Sequence, residues 1–220
     1  TMNPVWWQSS YWRGAAVSGD GSTMAIAAQG SDQDGSIYIS TDGGSSWSAA
    51  TAAGEREWRD IAISDDGTYM AAVVDGGSVW LSNNSGASWG ESTAAGTRPW
   101  RAIAGSDDGT TLAALAYEDP KIYTSTDSGS TWTGNDVSDL LTTMQNSPNW
   151  KAIAASGTPS TEGIVIHAVA RGQQIIRSAD SGVSWDTAST GTPWNDVATS
   201  DDGKYRVAAH SNAPFAKGYL

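Results

Sequence analysis

Five tryptophans recur along the chain, each followed by a polar residue: Trp12-Arg13, Trp58-Arg59, Trp100-Arg101, Trp150-Lys151 and Trp194-Asn195. An indole face can stack on the C–H groups of a sugar. A neighbouring guanidinium or ammonium can bind carboxylate, sulfate or hydroxyl oxygens, and Asn195 offers hydrogen bonds without charge. A structural use competes with this one. Large aromatics are usually well buried, so the five rings also suit wedges between sheets, with the cations paired to acids such as Asp60 and Asp196, two residues after their tryptophans. One residue can serve both ends if an edge of the ring stays exposed. Other chemistry is sparse. His167 and His210 are the only histidines and lack metal-ligand spacing. No Gly-x-Ser-x-Gly elbow, phosphate loop or zinc helix occurs, and the absence of cysteine removes a thiolate nucleophile, a thiolate metal site and a disulfide framework. The pairs Asp65-Asp66, Asp107-Asp108 and Asp201-Asp202 raise calcium, which needs six to eight converging oxygens. An Asp-Asp-Gly turn supplies too few, and the turn preference of Asp accounts for it. No metal or cofactor is expected.

The tryptophans are spaced by 46, 42, 50 and 44 residues. After each comes a turn: Gly19-Asp20-Gly21, Asp65-Asp66-Gly67, Asp107-Asp108-Gly109, a longer 157–163 segment in the fourth copy, and Asp201-Asp202-Gly203. An apolar run follows, as at Met70–Val74 and Leu112–Ala116. A third short run then ends in Ser40-Thr41-Asp42-Gly43-Gly44-Ser45-Ser46-Trp47, repeated at Ser82–Trp89, Ser125–Trp132 and Ser178–Trp185. The runs are rich in β-branched, aromatic and Ala residues and too short for helices. Four strands in each repeat of 40 to 50 residues predict propeller blades. The expectation is a single all-β domain, a five-bladed β-propeller of four-stranded antiparallel blades over 12–57, 58–99, 100–149, 150–193 and 194–220 plus 1–11. The last repeat lacks a fourth strand, and Val5–Ser9 precedes the first repeat. That N-terminal strand is expected to pair beside Lys217–Leu220 and close the last blade, which would leave no exposed edge.

The repeated Ser-x-Asp-x-Gly-x-Ser/Thr-Trp element resembles the Asp-box (BNR) repeat of sialidases, sialidase-like lectins, sortilin-type receptors, xyloglucanases and photosystem-assembly propellers. Its copies carry Asp42, Asn84, Asp127 and Asp180, with Trp47, Trp89, Trp132 and Trp185. The resemblance implies a structural turn on the face away from the usual active site. The residue chemistry agrees. A short acid or amide accepts bonds from turn N–H groups, Gly44, Gly86, Gly129 and Gly182 suit a left-handed position, and the tryptophan covers the hairpin. An extracellular or cell-surface setting is expected. The family's Arg-Ile-Pro segment, which a sialidase would carry, is absent. A retaining hydrolase would need two carboxylates about 5 Å apart.

Strand direction alternates, so the Trp-Arg/Lys end should lie opposite the boxes, together with the loops between second and third strands. Those loops are read at Gly30–Gly35, Asp75–Gly77, Tyr117–Lys121, Arg171–Gln174 and Ser211–Gly218. Variable loops on a repeated scaffold are where binding resides, which adds Asp32, Asp34, Tyr117, Glu118, Arg171, Gln173 and Asn212. The insert Asn135–Asn149, with Asp139-Leu140-Leu141 and Met144, could form a flap on this rim. Twelve Lys+Arg stand against 24 Asp+Glu, a net charge of −12. That balance argues against nucleic acid and anionic membranes as partners, and no apolar run reaches a membrane span. The expected function is non-catalytic: lectin-like recognition of a glycan at the rim, by Trp12, Arg13, Trp58, Arg59, Trp100, Arg101, Trp150, Lys151, Trp194, Asn195, Tyr117 and Arg171. The alternatives are an extracellular protein-interaction scaffold or assembly subunit and, third, an Asp-box glycoside hydrolase.

Overall fold

A computed structural model describes residues 10–30, 35–141, 148–157, 163–189 and 192–210. The expected closing segments 5–9 and 217–220, and the rim positions Asp32, Asp34, Met144 and Asn212, lie outside them. The described residues are all-β, with 52% in strands against 5% in helices. It clusters into two compact units, Thr1–Trp100 with Asp107–Gly109, and Arg101–Ser106 with Thr110–Leu220.

In the first unit, β1 (Ser10–Val17), β2 (Met24–Gly30), β3 (Ile37–Ser40) and β4 (Ser48–Ala49) form one antiparallel sheet in chain order. The next repeat gives β5 (Trp58–Ile63), β6 (Met70–Gly77), β7 (Val79–Ser82) and β8 (Gly90–Ser92), paired in the same succession. The start of β9 (Arg98–Gly105) pairs with the far end of β6, through Asp75↔Pro99 and Gly77↔Arg98. In the second unit the rest of β9 leads a third four-strand set with β10 (Leu112–Ala116), β11 (Lys121–Ser125) and β12 (Thr133–Asp136). A fourth set is β13 (Trp150–Ala155), β14 (Ile166–Gln173), β15 (Ile176–Ser178) and β16 (Asp186–Thr187). The fifth repeat contributes β17 (Thr192–Thr199) and β18 (Arg206–His210). Four repeats therefore have the expected four strands.

The second strand of a set is flanked by strands on both sides and covered on both faces. Met70–Val74 and Leu112–Ala116 are buried at every position, which is why they read as unbroken apolar runs rather than alternating ones. Their alanines keep the side-chain layer thin. The core of the first unit gathers Ile37, Ile39, Trp58, Ile61 and Met70. That of the second gathers Leu115, Ile122, Trp150, Ile164, Ile166 and Ile176.

Two kinds of turn hold the hairpins. In the Asp-Gly turns, Ser18, Ser64 and Ser200 donate their hydroxyls to Asp20, Asp66 and Asp202 at 2.7–2.8 Å. The same carboxylates accept the N–H groups of Ser22, Thr68 and Lys204. Backbone bonds join successive turns inside each unit: Gly19 N–H to Asp65 C=O, Asp65 N–H to Asp107 C=O, and Gly157 N–H to Asp201 C=O, at 2.7–3.0 Å. In the Ser-x-Asp turn, Asp42 accepts the Ser46 N–H at 2.8 Å, the Ser46 hydroxyl at 2.7 Å and the Ser40 hydroxyl at 2.8 Å. The Trp47 indole N–H closes it on the Gly44 carbonyl at 3.2 Å. Asn84 keeps the pattern, accepting the Ser88 N–H at 2.9 Å and donating to the Ser88 hydroxyl at 2.8 Å. The left-handed backbone extends one residue further than the glycine position implies. Ser85, Ser128 and Ser181 have φ of 55–59°, ahead of Gly86, Gly129 and Gly182 at 79–89°.

Candidate functional site

Four of the five repeated tryptophans begin a β-bulge. The register slips between Trp12 and Gly14, Trp58 and Asp60, Trp150 and Ala152, and Trp194 and Asp196. A bulge re-aims one side chain against the alternation of the strand. The tryptophan turns inward and the next residue, Arg13, Arg59, Lys151 or Asn195, becomes the extra one. This corrects the expectation that the rings face a ligand. Trp58 and Trp100 are 0% exposed, Trp150 is 1% and Trp194 is 6%, whereas Trp12 is 37% exposed. The Trp150 N–H donates to the Asp119 carbonyl at 2.8 Å and the Trp58 N–H to the Gly54 carbonyl at 3.3 Å. Those four rings are core; Trp12 alone of the five offers ring surface.

The cations that follow the tryptophans meet definite partners, of which Tyr117 was expected at the rim and Gln29 was not. Arg13 Nε donates to Gln29 Oε1 at 2.7 Å, and its guanidinium lies over Tyr11, 5.7 Å from the ring centre. Arg59 forms an ion pair with Asp75, with Nε 3.0 Å from Oδ2 and a second guanidinium N–H on the same oxygen. Arg101 stacks over Tyr117 at 4.7 Å. In all three the partner stands 16 residues after the cation. This fixed spacing is the signal that could have found Gln29 and Asp75. Register explains it: the partner follows the residue paired with the tryptophan, as in Trp12↔Ala28 and Trp58↔Val74. In the fourth repeat Trp150 pairs with Ala170, so Arg171 takes the partner position of Lys151, and the longer turn stretches the spacing to 20. Lys151, Arg171 and Asn195 are exposed.

The expected acid partners bond elsewhere as well. Asp60 accepts the Ile61 N–H and Asp196 the Val197 N–H, each at 2.9 Å. Two of the expected rim loops are corrected too. Asp75–Gly77 and Arg171–Gln173 are strand ends, held by the first residues of the strand that opens the next repeat through Asp75↔Pro99 and Arg171↔Pro193. Gln173 is accordingly buried. Tyr117–Asp119 is a true turn, with Glu118 in the left-handed region at φ 58°. The Glu118 carboxylate hydrogen-bonds the Tyr117 hydroxyl and raises its pKa. Asp119 accepts the Tyr123 hydroxyl at 2.7 Å. The insert begins as strand β12 and a 3-10 turn, Ser138–Leu140, whose Leu140 packs on the core.

The turn carboxylates are poor proton donors. Hydrogen bonds from the Ser46 hydroxyl and N–H, then Ser40, lower the pKa of Asp42 to about 2. The Lys204 ammonium, with the Lys204 N–H and the Ser200 hydroxyl, lowers Asp202 to about 2. Asp20, Asp66, Asp127, Asp136 and Asp180 move the same way. A general acid needs the opposite shift. His167 is buried in β14, with Nδ1 2.9 Å from the Thr199 hydroxyl. Burial, then Arg206 and Arg177, lowers its pKa to about 4. It is a neutral core residue. Among the described residues no group of three or more His, Asp or Glu side chains is placed to hold a metal ion.

No family model and no curated protein matches the chain. Solved structures do. A GH74 enzyme of Niastella koreensis superposes with a TM-score of 0.66 at 18% identity over 94% of this chain, which spans 29% of that enzyme. A chain of a nidogen/laminin complex gives 0.66 at 14% identity over 92% of this chain and 73% of its own. YCF48 bound to a D1 peptide gives 0.59 at 14% identity, over 91% of this chain and 62% of its own. These neighbours are β-propeller proteins, and at such identities the likeness shows a propeller-type fold alone.

Proposed function

We propose that this chain is a non-catalytic propeller module that binds another protein, each unit contributing the residues at and opposite its own β-bulges. One observation carries the reading. The bulge recurs in the first, second, fourth and fifth repeats, while the side chain after the tryptophan and its counterpart on the second strand change from Arg13 with Gln29, to Arg59 with Asp75, to Arg101 with Tyr117, to Lys151 with Arg171. A constant scaffold presenting different chemistry at equivalent places suits recognition of an irregular polymer such as a peptide. Propellers of this kind in complex with laminin and with the D1 peptide give precedent for such a partner. The repeated Ser-x-Asp turns, read as Asp boxes, belong to the scaffold in this proposal.

The test is a peptide-display selection on the whole chain, repeated with Arg13, Arg59, Arg101 and Lys151 all changed to Ala, beside a glycan array. Peptides that bind the chain and not the variant are the expected result. Glycan binding with no selected peptide would overturn it. The glycan alternative has its own support in the first repeat, where exposed Tyr11 and Trp12 precede Arg13, whose guanidinium lies over Tyr11, and Trp12 meets Tyr38 edge-on at 5.8 Å. A hydrolase lacks comparable support, because every described aspartate whose ionisation the fold shifts is held as the anion.

A further inference from the structure

The fourth repeat breaks a rule that the first three keep. After the tryptophan and 16 residues further on, those repeats place an amide beside Arg13, a carboxylate beside Arg59 and an aromatic face beside Arg101. Each satisfies its cation internally. In the fourth, the same two backbone positions hold Lys151 and Arg171, two cations on adjacent strands. Both are exposed, and among the described residues no ion pair or side-chain hydrogen bond engages either one. Like charges across a strand pair repel. A chain with a net charge of −12 has no shortage of carboxylates, yet among the described residues none forms an ion pair with either cation. The Arg171 N–H is held by the Asn149 carbonyl at 3.0 Å, which fixes the strand end that carries the guanidinium.

We propose that Lys151 and Arg171 form a binding site for a carboxylate, supplied by an Asp or Glu side chain of the protein partner. The second repeat displays the chemistry the site would complete. There Asp75 stands at the position of Arg171, and one carboxylate oxygen takes two guanidinium N–H bonds from the bulged Arg59. In the fourth repeat the carboxylate comes from outside and lies between two cations, relieving their repulsion as it binds. Arg171 supplies a planar fork and Lys151 a point charge. This assignment rests on the protein-binding reading above and names the chemistry of one contact within it.

The decisive variant is Arg171→Asp, which rebuilds in the fourth repeat the ion pair of the second. The full chain, labelled with nitrogen-15, is titrated with a short polyglutamate peptide, its polyglutamine counterpart and inorganic phosphate, and amide shifts are followed by NMR. Polyglutamate is expected to move the amides of Asn149, Lys151 and Arg171 while polyglutamine does not. The variant should bind polyglutamate about tenfold more weakly or worse, and should melt at a temperature no lower than the parent. Shifts confined to Arg13, Arg59 or Arg101, or unchanged affinity in Arg171→Asp, would overturn the site. Equal response to phosphate would overturn its assignment to a protein carboxylate. Selected peptides that ignore Arg171→Asp but are lost on removing the four bulge cations would defeat this contact and leave the broader function standing.

Discussion

Trp58 and Trp12 hold the same place in successive repeats and differ in their relation to solvent, 0% against 37% exposed. Trp58 is packed among Trp80, Trp89 and the first unit's core. Trp58→Ala should therefore lose about 3–5 kcal/mol in urea unfolding, and Trp12→Ala about 1 kcal/mol or less. A reversed order would contradict the assignment of ring faces. The Ser-x-Asp turns make a finer distinction. Asn84 shows that an amide keeps the turn, so Asp127→Asn should lower the melting temperature less than Asp127→Ala, which removes the acceptor for the Thr131 N–H and hydroxyl. His167 gives a pH dependence. Its folded pKa of about 4 lies below the ordinary value of 6.5, so the unfolded chain takes up the proton first. The stability linked to His167 is intact above pH 6.5 and lost as pH falls from 6.5 toward 4. His167→Gln should flatten the melting temperature across that window. The aspartates lowered to about 2 add their loss only below their ordinary value of 3.8, since their folded forms hold the charge better.

At the scale of the element, the bulge is the decisive device. It lets a strand bury a tryptophan and place the next side chain on a different course, which simple alternation forbids. Sequence reading found the tryptophans and cations because their types recur. It missed the bulge because a bulge adds no recognisable residue. It also assigned strand ends Asp75–Gly77 and Arg171–Gln173 to loops, because Gly76 and Gly172 look like turn residues. Both do adopt positive φ, 69° and 74°, but at irregularities inside a pairing with the first strand of the next repeat. Strand contact is just as close at Gly14. A Cβ there would meet Asp60 Cα at 2.6 Å and its Oδ1 at 2.5 Å. Gly14→Ala should cost about 1–3 kcal/mol by forcing β1 away from β5, measured by urea unfolding. A neutral result would show that this approach relaxes without cost.

Over the whole molecule, a chain of net charge −12 confines its few cations to definite places, and several of them stand at the bulges. Binding that depends on exposed cations is screened by salt, since the Debye length falls from about 10 Å at 0.1 M to about 3 Å at 1 M. Affinity for an acidic peptide should fall steeply over that range. An aromatic glycan contact at Trp12 and Tyr11 should change little. Isothermal titration at the two salt concentrations separates the readings. The propeller-type neighbours include an enzyme and proteins solved with binding partners, so the scaffold itself does not choose among these functions.

The sequence by itself determined the period, the four strands of a repeat and the two families of turns. These depend on interactions between residues close in the chain, and Gly, Asp, Ser and Trp announce them by type. Only the tertiary structure decided which rings are covered, which partner each cation meets and that Lys151 and Arg171 occupy the places of Arg59 and Asp75. Those outcomes depend on register between strands, and a shift of one residue, such as a bulge supplies, exchanges the inside of a strand for its outside.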